Sequence, residues 1–173
     1  YEVALALKKL GIKTKLIAGP SNLISTRDLK IKKIISAKEM MNEVKKSLPV
    51  DIAVCAAAVS DFKPIYKNKN KIKKNTPNID NIKLEKNPDI LDYLSKNNEA
   101  RPKIVVGFSA ETENVIQNSK IKIKEKYCDL IIANDVSKKD SGFNSEYNKV
   151  SIIDREGKIK SISKNKKSYI ANT

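Results

Sequence analysis

Three short stretches place polar side chains just beyond apolar runs. Ile52–Ala57 leads to Ser60-Asp61, Ile104–Phe108 to Ser109, and Leu130–Ala133 to Asn134-Asp135. Apolar runs without alternation read as strands buried on both faces. In an open parallel sheet, ligands bind beyond the carboxyl ends of the strands. If the three strands are parallel, their exits share one edge. The small residues Cys55, Ala56 and Ala57, followed by the single carboxylate of Asp61, then make a candidate ligand floor. Lys122 and Lys126 are four apart on a predicted helix, so they share a face and can converge on one anion. The chemistry open to this set is capture of an anionic ligand. Each feature also has a plainer reading: a solvated Asp at a strand exit, and a solvated helix face.

The surrounding elements would position these groups. Tyr1–Leu10 is expected as a helix with Val3, Leu7 and Leu10 on one face and Ala6 beside them, ended by Gly11. Strands are expected at Thr14–Ala18 and Ile31–Ile35, with a turn at Gly19–Asn22 between them. Ser36 and Glu39 form a capping box for a helix reaching about Leu48, with Met40, Met41, Val44 and Leu48 inward and Pro49 as the stop. From Ala58 to about Asp80 the chain is irregular and rich in lysine (Lys63, Lys67, Lys69, Lys71, Lys73, Lys74). A loop that long is functional, mobile or a solvated surface segment.

A short strand is expected at Ile82–Glu85. Asn87-Pro88-Asp89 then opens a helix, with Asn at the cap, Pro in the first turn and Asp at the positive end of the dipole. Ile90, Leu91 and Leu94 would face inward. A further helix runs from about Asn114 to Lys126, and Ser141–Asn144 makes a turn. Val150–Ile153 and Lys158–Ile162 pair as a hairpin across Asp154–Gly157, and a truncated helix starts beyond Ser163. The pattern predicts an α/β fold, doubly wound around a mostly parallel Rossmann-like sheet, with an added β-hairpin near the C-terminus. We read residues 1–173 as one domain, truncated at both ends and lacking at least one strand at the front.

The net charge is +15, without any His. Such a charge suits a polyanionic partner such as nucleic acid, a membrane surface or phosphorylated small molecules. The composition offers a duller cause. The chain holds 32 Lys, 23 Ile and 17 Asn, all encoded by AT-rich codons, against three Arg and no Trp. Nucleic-acid surfaces interleave Arg or aromatics with Lys, so neither nucleic acid nor membrane is expected as a partner. Cys55 and Cys128 lie in apolar surroundings outside any Cys-x-x-Cys pair, which fits core thiols of a reducing compartment and a cytoplasmic setting. No apolar run approaches the roughly 20 residues needed to cross a bilayer.

Six stretches, in order, resemble the phosphopantothenoylcysteine synthetase family, also called phosphopantothenate–cysteine ligase. They are Ala56–Pro64, Lys71–Lys74, Asn87–Ile90, Val106–Thr112, Ala133–Val136 and Gly142–Ser145. The resemblance implies joining of 4′-phosphopantothenate and L-cysteine in coenzyme A biosynthesis. CTP would activate the acid as an acyl-cytidylate with loss of pyrophosphate. The cysteine amine would then displace CMP, with Mg²⁺ as the metal.

It further implies that Cys55, Ala56 and Ala57 let the nucleotide lie close to the strand end. Asp61 would accept hydrogen bonds from it, with metal contact the alternative. Pro88, Asp89, Ile90 and Leu91 would form part of its pocket. Phe108 would lie against the cytidine, and Lys122 and Lys126 would hold phosphates. Lys71 would be the catalytic lysine of a flexible basic flap at about 62–80. Asn134 lies at the same edge with no role assigned. A homodimer is implied, as is a decarboxylase domain upstream in bifunctional members. The family also carries an Asn followed by Ser-Ser-Gly-Lys ahead of its first helix. The sequence begins past that place, so its active site is expected to be incomplete. Two alternatives stand beside this reading: a non-catalytic nucleotide- or nucleic-acid-binding module on the same sheet, and a Rossmann dehydrogenase, for which no Gly-x-Gly-x-x-Gly is present.

Overall fold

In the computed structural model, which describes residues 1–21, 29–66, 70–71, 73, 81–96, 99–137 and 145–173, helices and strands alternate through most of the chain. In order they are α1 (Glu2–Lys9), β1 (Lys15–Ala18), β2 (Lys30–Lys33), α2 (Ala37–Ser47), β3 (Ile52–Cys55) and β4 (Phe62–Pro64). Then follow β5 (Leu84–Lys86), α3 (Ile90–Lys96), β6 (Ile104–Glu111), α4 (Val115–Lys126), β7 (Leu130–Asp135), β8 (Tyr147–Asp154), β9 (Ile159–Lys166) and α5 (Lys167–Ala171).

The central sheet has five strands in the order β3-β6-β7-β8-β9. β3, β6 and β7 run parallel, with Cys55 opposite Gly107 and Ala133 opposite Ser109. β8 and β9 add antiparallel, as the expected hairpin. Both strands of that hairpin are longer than expected, eight residues each. Lysines and serines on their solvated positions do not interrupt a ladder whose inward positions, Val150, Ile153 and Ile162, are buried. β1 and β2 form a separate parallel pair.

One apolar cluster ties helices to strands: Met40 and Met41 of α2, Ile90 and Leu94 of α3, Ile123 of α4, and Val105, Cys128 and Ile131 on or beside β6 and β7. The capping box forms at α2, where Ser36 Oγ accepts from the Glu39 amide at 3.2 Å and Glu39 reaches back to the Ile35 amide at 3.0 Å. Gly11 takes φ +77° after α1, the left-handed value that glycine adopts without a Cβ clash. Cys55 and Cys128 are both free thiols. Among the described residues no helix is long and apolar enough to cross a membrane.

Four expectations need correction. β3 is not buried on both faces: Ile52 is 40% exposed, because β3 is the edge of its sheet. In α1 the buried residues are Ala4 and Ala6 while Leu10 is 75% exposed, so the inward stripe is the small-residue one. The basic segment after Ala58 contains a strand, β4, paired antiparallel with β5, Pro64 opposite Leu84 and Phe62 opposite Lys86. A proline is tolerated there because, among the described residues, β4 has a partner on one side only. The strand expected at Ile82–Glu85 is shifted to Leu84–Lys86 by this pairing. The turn expected at Ser141–Asn144, Asn22 of the first turn, and Lys67, Lys69 and Lys74 of the flap lie outside the described residues.

Candidate active site

The parallel register brings the carboxyl ends of β6 and β7 level, with Ala110 opposite Asn134 and Glu111 opposite Asp135. β3 ends at Cys55, level with Gly107. The three strands therefore end on one side of the sheet, but β6 continues to Glu111 and β7 to Asp135, so Ser109 and Asn134 lie within their strands and not beyond them as expected. Gly107 sits where a side chain would collide: a Cβ there would lie 2.8 Å from both Ile131 Cδ1 and Leu91 Cδ2. That close approach lets α3 pack directly over β6.

From this edge a chain of contacts joins residues far apart in sequence. The Asn87 amide donates to the Asp61 carbonyl at 2.8 Å, and the Asn87 side chain donates to the Ser60 carbonyl at 2.8 Å. This holds the β3 exit against the start of α3. Asn87 is thus not the helix cap, as the sequence suggested. Asp89 takes that role, its Oδ1 accepting from the Asp92 amide at 2.8 Å. Asp89 Oδ2 accepts from Lys126 Nζ at 2.6 Å, so α3 is pinned to α4. One turn back on α4, Lys122 Nζ donates to the Phe108 carbonyl at 3.1 Å, pinning α4 to β6. Burial pushes the Asp89 carboxyl up. The Lys126 hydrogen bond, the Asp92 amide and the charge of Lys122 outweigh it, and the carboxyl sits below its usual range. The same hydrogen bond, donated to Asp89, holds the Lys126 ammonium above its usual range.

Each residue singled out from the sequence has a definite place. Cys55 is half-buried at the end of β3, and Ala56, Ala57 and Asp61 are exposed beyond it. Pro88 is half-buried and Asp89 exposed. Ile90 is buried in the apolar cluster, and Leu91 is partly buried against it. Phe108 is partly buried on β6. Asn134 is partly buried, and its Oδ1 is enclosed with no hydrogen-bond partner among the described residues. Lys71 is exposed in the connection between β4 and β5. A cavity of about 340 Å³ lies at the base of that hairpin, lined by Ser36, Lys38, Lys63, Pro64, Ile65, Glu85 and Asn87. It shares only Asn87 with the contact chain.

Sequence reasoning missed two features of this edge. Ser109 is fully buried and donates to Glu111 at 2.5 Å, and Glu111 also accepts from Asn118 at 3.3 Å, which staples the β6 exit to the first turn of α4. Asp129 accepts from Arg101 at 2.8 Å and from the Val105 amide at 2.7 Å, and forms an ion pair with Arg155 at 3.1 Å. The retention of Arg in so lysine-rich a chain could have marked this cluster.

The described residues hold no group of three His, Cys, Asp or Glu side chains able to cage a metal. Magnesium commonly takes only one or two carboxylates and completes its shell with phosphates and water. Asp89 belongs to the contact chain through its carboxylate and Asp61 through its backbone carbonyl, the Asp61 side chain being exposed beside it.

Over residues 1–173 the chain matches the family described as DNA/pantothenate metabolism flavoprotein C-terminal domain. It is 42% identical over 165 residues to the coenzyme A biosynthesis bifunctional protein CoaBC of Borreliella burgdorferi, covering 94% of this chain and 41% of that protein. It is 35% identical over 161 residues to the CoaBC protein of Vibrio parahaemolyticus, covering 92% of this chain and 40% of that one. Among solved structures it is similar to the C-terminal domain of a coenzyme A biosynthesis bifunctional protein CoaBC. The TM-score there is 0.78 at 27% identity, over 99% of this chain and 75% of the other. The chain thus spans about two-fifths of the length of those curated relatives.

Proposed function

Given that the chain belongs to the family of DNA/pantothenate metabolism flavoprotein C-terminal domains, we propose that it joins 4′-phosphopantothenate to L-cysteine in coenzyme A biosynthesis. The observation that carries the reading is the double pin of α4: Lys122 on the Phe108 carbonyl, just past the level where β3 ends, and Lys126 on Asp89. Two ammonium groups one turn apart suit a chain of phosphates.

In this proposal CTP lies across the ends of β3 and β6, with Cys55, Ala56 and Ala57 presenting little bulk beneath it. Pro88 to Leu91 wall the base, Phe108 lies along the ring, and Asp61 accepts hydrogen bonds. Lys122 and Lys126 draw negative charge off the leaving pyrophosphate. Lys71, carried on the flap, closes over the acyl-cytidylate, excludes water and stabilises charge as the cysteine amine attacks. Magnesium, when bound, neutralises the phosphates; Asp61 is the exposed carboxylate best placed to share it. The curated relatives are named bifunctional, and we extend a fused decarboxylase, a homodimer and a cytoplasmic setting to this protein as part of the same proposal.

The test is pyrophosphate release from CTP by the natural protein. Release is expected only with 4′-phosphopantothenate present, followed by CMP release on adding cysteine. Pyrophosphate release that ignores phosphopantothenate would overturn the reading.

A further inference from the structure

Resting on the nucleotide-activating reading above, we propose that Asp89 is a specificity-determining residue: its carboxylate reserves Lys126 for nucleotides with enough phosphate to displace it. Both oxygens of Asp89 are engaged. Oδ1 is fixed as the α3 cap by the Asp92 amide at 2.8 Å, and Oδ2 holds Lys126 at 2.6 Å. The cap keeps the carboxylate from swinging away, so Lys126 always has a counterion within reach. Lys122 is placed differently. Its ammonium donates to a neutral carbonyl, that of Phe108, and forms no ion pair among the described residues, although its charge is felt by Asp89. The two lysines look equivalent in the sequence, yet among the described residues Lys126 is ion-paired to Asp89 and Lys122 is held by a carbonyl.

The consequence follows from charge. A terminal monophosphate carries about −1.5 to −2 near neutral pH, and a triphosphate roughly twice that. Four residues separate the lysines, about 6 Å along the axis, so a triphosphate can hold both ammonium groups at once, whereas a single phosphate on Lys122 would have to draw Lys126 away from Asp89. A monophosphate therefore settles on Lys122 and leaves Lys126 with Asp89. A triphosphate reaches both lysines and competes with a single carboxylate for the second. When the triphosphate is converted to a monophosphate, Asp89 recovers Lys126 and the hold on the product weakens. The site thereby favours entry of a nucleoside triphosphate and departure of the monophosphate. The other charges around Lys126 are the carboxylates of Asp92 and Glu125, which also raise its pKa, after the larger effect of Asp89.

The experiment is calorimetric titration of the natural protein with CTP and with CMP, in wild type, Asp89→Asn and Lys126→Met. Asn is a good helix cap, so Asp89→Asn removes the charge while keeping an acceptor for the Asp92 amide. It is expected to tighten CMP about fivefold and to change CTP less, narrowing the gap between them. Lys126→Met is expected to weaken CTP while leaving CMP unchanged. An unaltered CTP-to-CMP ratio in Asp89→Asn, or equal loss of both ligands in Lys126→Met, overturns the proposal. If wild type binds neither nucleotide, the nucleotide-activating reading itself has failed, a separate outcome from an unchanged ratio. Should Asp89→Asn not fold, the Lys126→Met comparison decides alone.

Discussion

Lys122 donates to the main-chain carbonyl of Phe108 across 3.1 Å, joining a helix face to the strand beneath it. The contact holds the ammonium against β6 at Phe108 without pairing it with a carboxylate. Lys122→Gln keeps an N–H donor for the carbonyl and removes the charge. Charge-assisted hydrogen bonds are worth about 1.5–3 kcal/mol, so the KM for CTP should rise about tenfold or more. Thermal stability should hardly change. An unchanged KM would show that the phosphates lie elsewhere.

Lys71 stands apart from that contact chain, exposed between β4 and β5. The base of its flap is set by the β4–β5 ladder and by the Lys63–Glu85 ion pair at 3.0 Å. Lys71→Gln touches neither. Its denaturation midpoint should match wild type, while formation of phosphopantothenoylcysteine falls by about a hundredfold or more, the usual scale for losing one stabiliser of transition-state charge. Full activity in this variant would remove the flap from the mechanism.

Gly107 tests the packing that lets α3 approach β6. An added methyl would meet Ile131 Cδ1 and Leu91 Cδ2, each at 2.8 Å. Both are side-chain ends that can shift. Gly107→Ala should therefore cost about 1–3 kcal/mol by overpacking rather than unfold the protein. Urea denaturation measures this directly. Because Leu91 belongs to the proposed nucleotide pocket, CTP affinity should fall in the same variant.

The parallel core and its shared edge were legible from the sequence because apolar runs, caps and glycine stops are local signals. Ser36, Glu39 and Gly11 each act where their residue type predicts. What was not legible depends on partners distant in sequence. Asn87 has the chemistry of a cap, yet it bonds to Ser60 and Asp61, and Asp89 caps instead. β3 reads as central because its residues are apolar, but exposure depends on which strands flank it, and none does on its outer side among the described residues. β4 was hidden because Lys63 and Pro64 are poor strand formers, overridden by pairing with β5. The Asp89–Lys126 pair was invisible as a pair, although each residue had been singled out by itself.

Asp129 gathers Arg101, Arg155 and the Val105 amide, and both guanidinium groups also reach the carbonyl of Tyr127 just past α4. The side chains of Arg101 and Asp129 are 21% and 23% exposed, that of Arg155 51%. Removing Arg101 should therefore cost more than removing Arg155: about 2–3 kcal/mol for Arg101→Ala, and at most about 1 for Arg155→Ala. Arg101→Lys should recover only part of the loss, since an ammonium cannot reproduce the planar fork. Equal costs for the two arginines in denaturant titrations would contradict this ranking.

Cys55 supplies a pH test with a defined sign. Burial, then the neighbouring Cys128 and Asp89, push its thiol up to about 12 from the usual 9.0. A raised pKa means that the folded state favours the neutral thiol. The associated stability is complete below about pH 9, where the unfolded thiol is also protonated, and drains away as pH rises toward 12. Wild type should thus lose stability over that window faster than Cys55→Ala, a difference that cancels the titration of the many lysines common to both. Reactivity follows the same logic. At pH 9.0 a free cysteine is about half thiolate, whereas this thiol is ionised on the order of one part in a thousand. Alkylation by iodoacetamide, followed by mass spectrometry of the Cys55 peptide, should be slow in the folded protein and rapid in urea. Fast labelling of Cys55 in the folded protein at neutral pH would mean that the end of β3 is not packed as the apolar cluster requires.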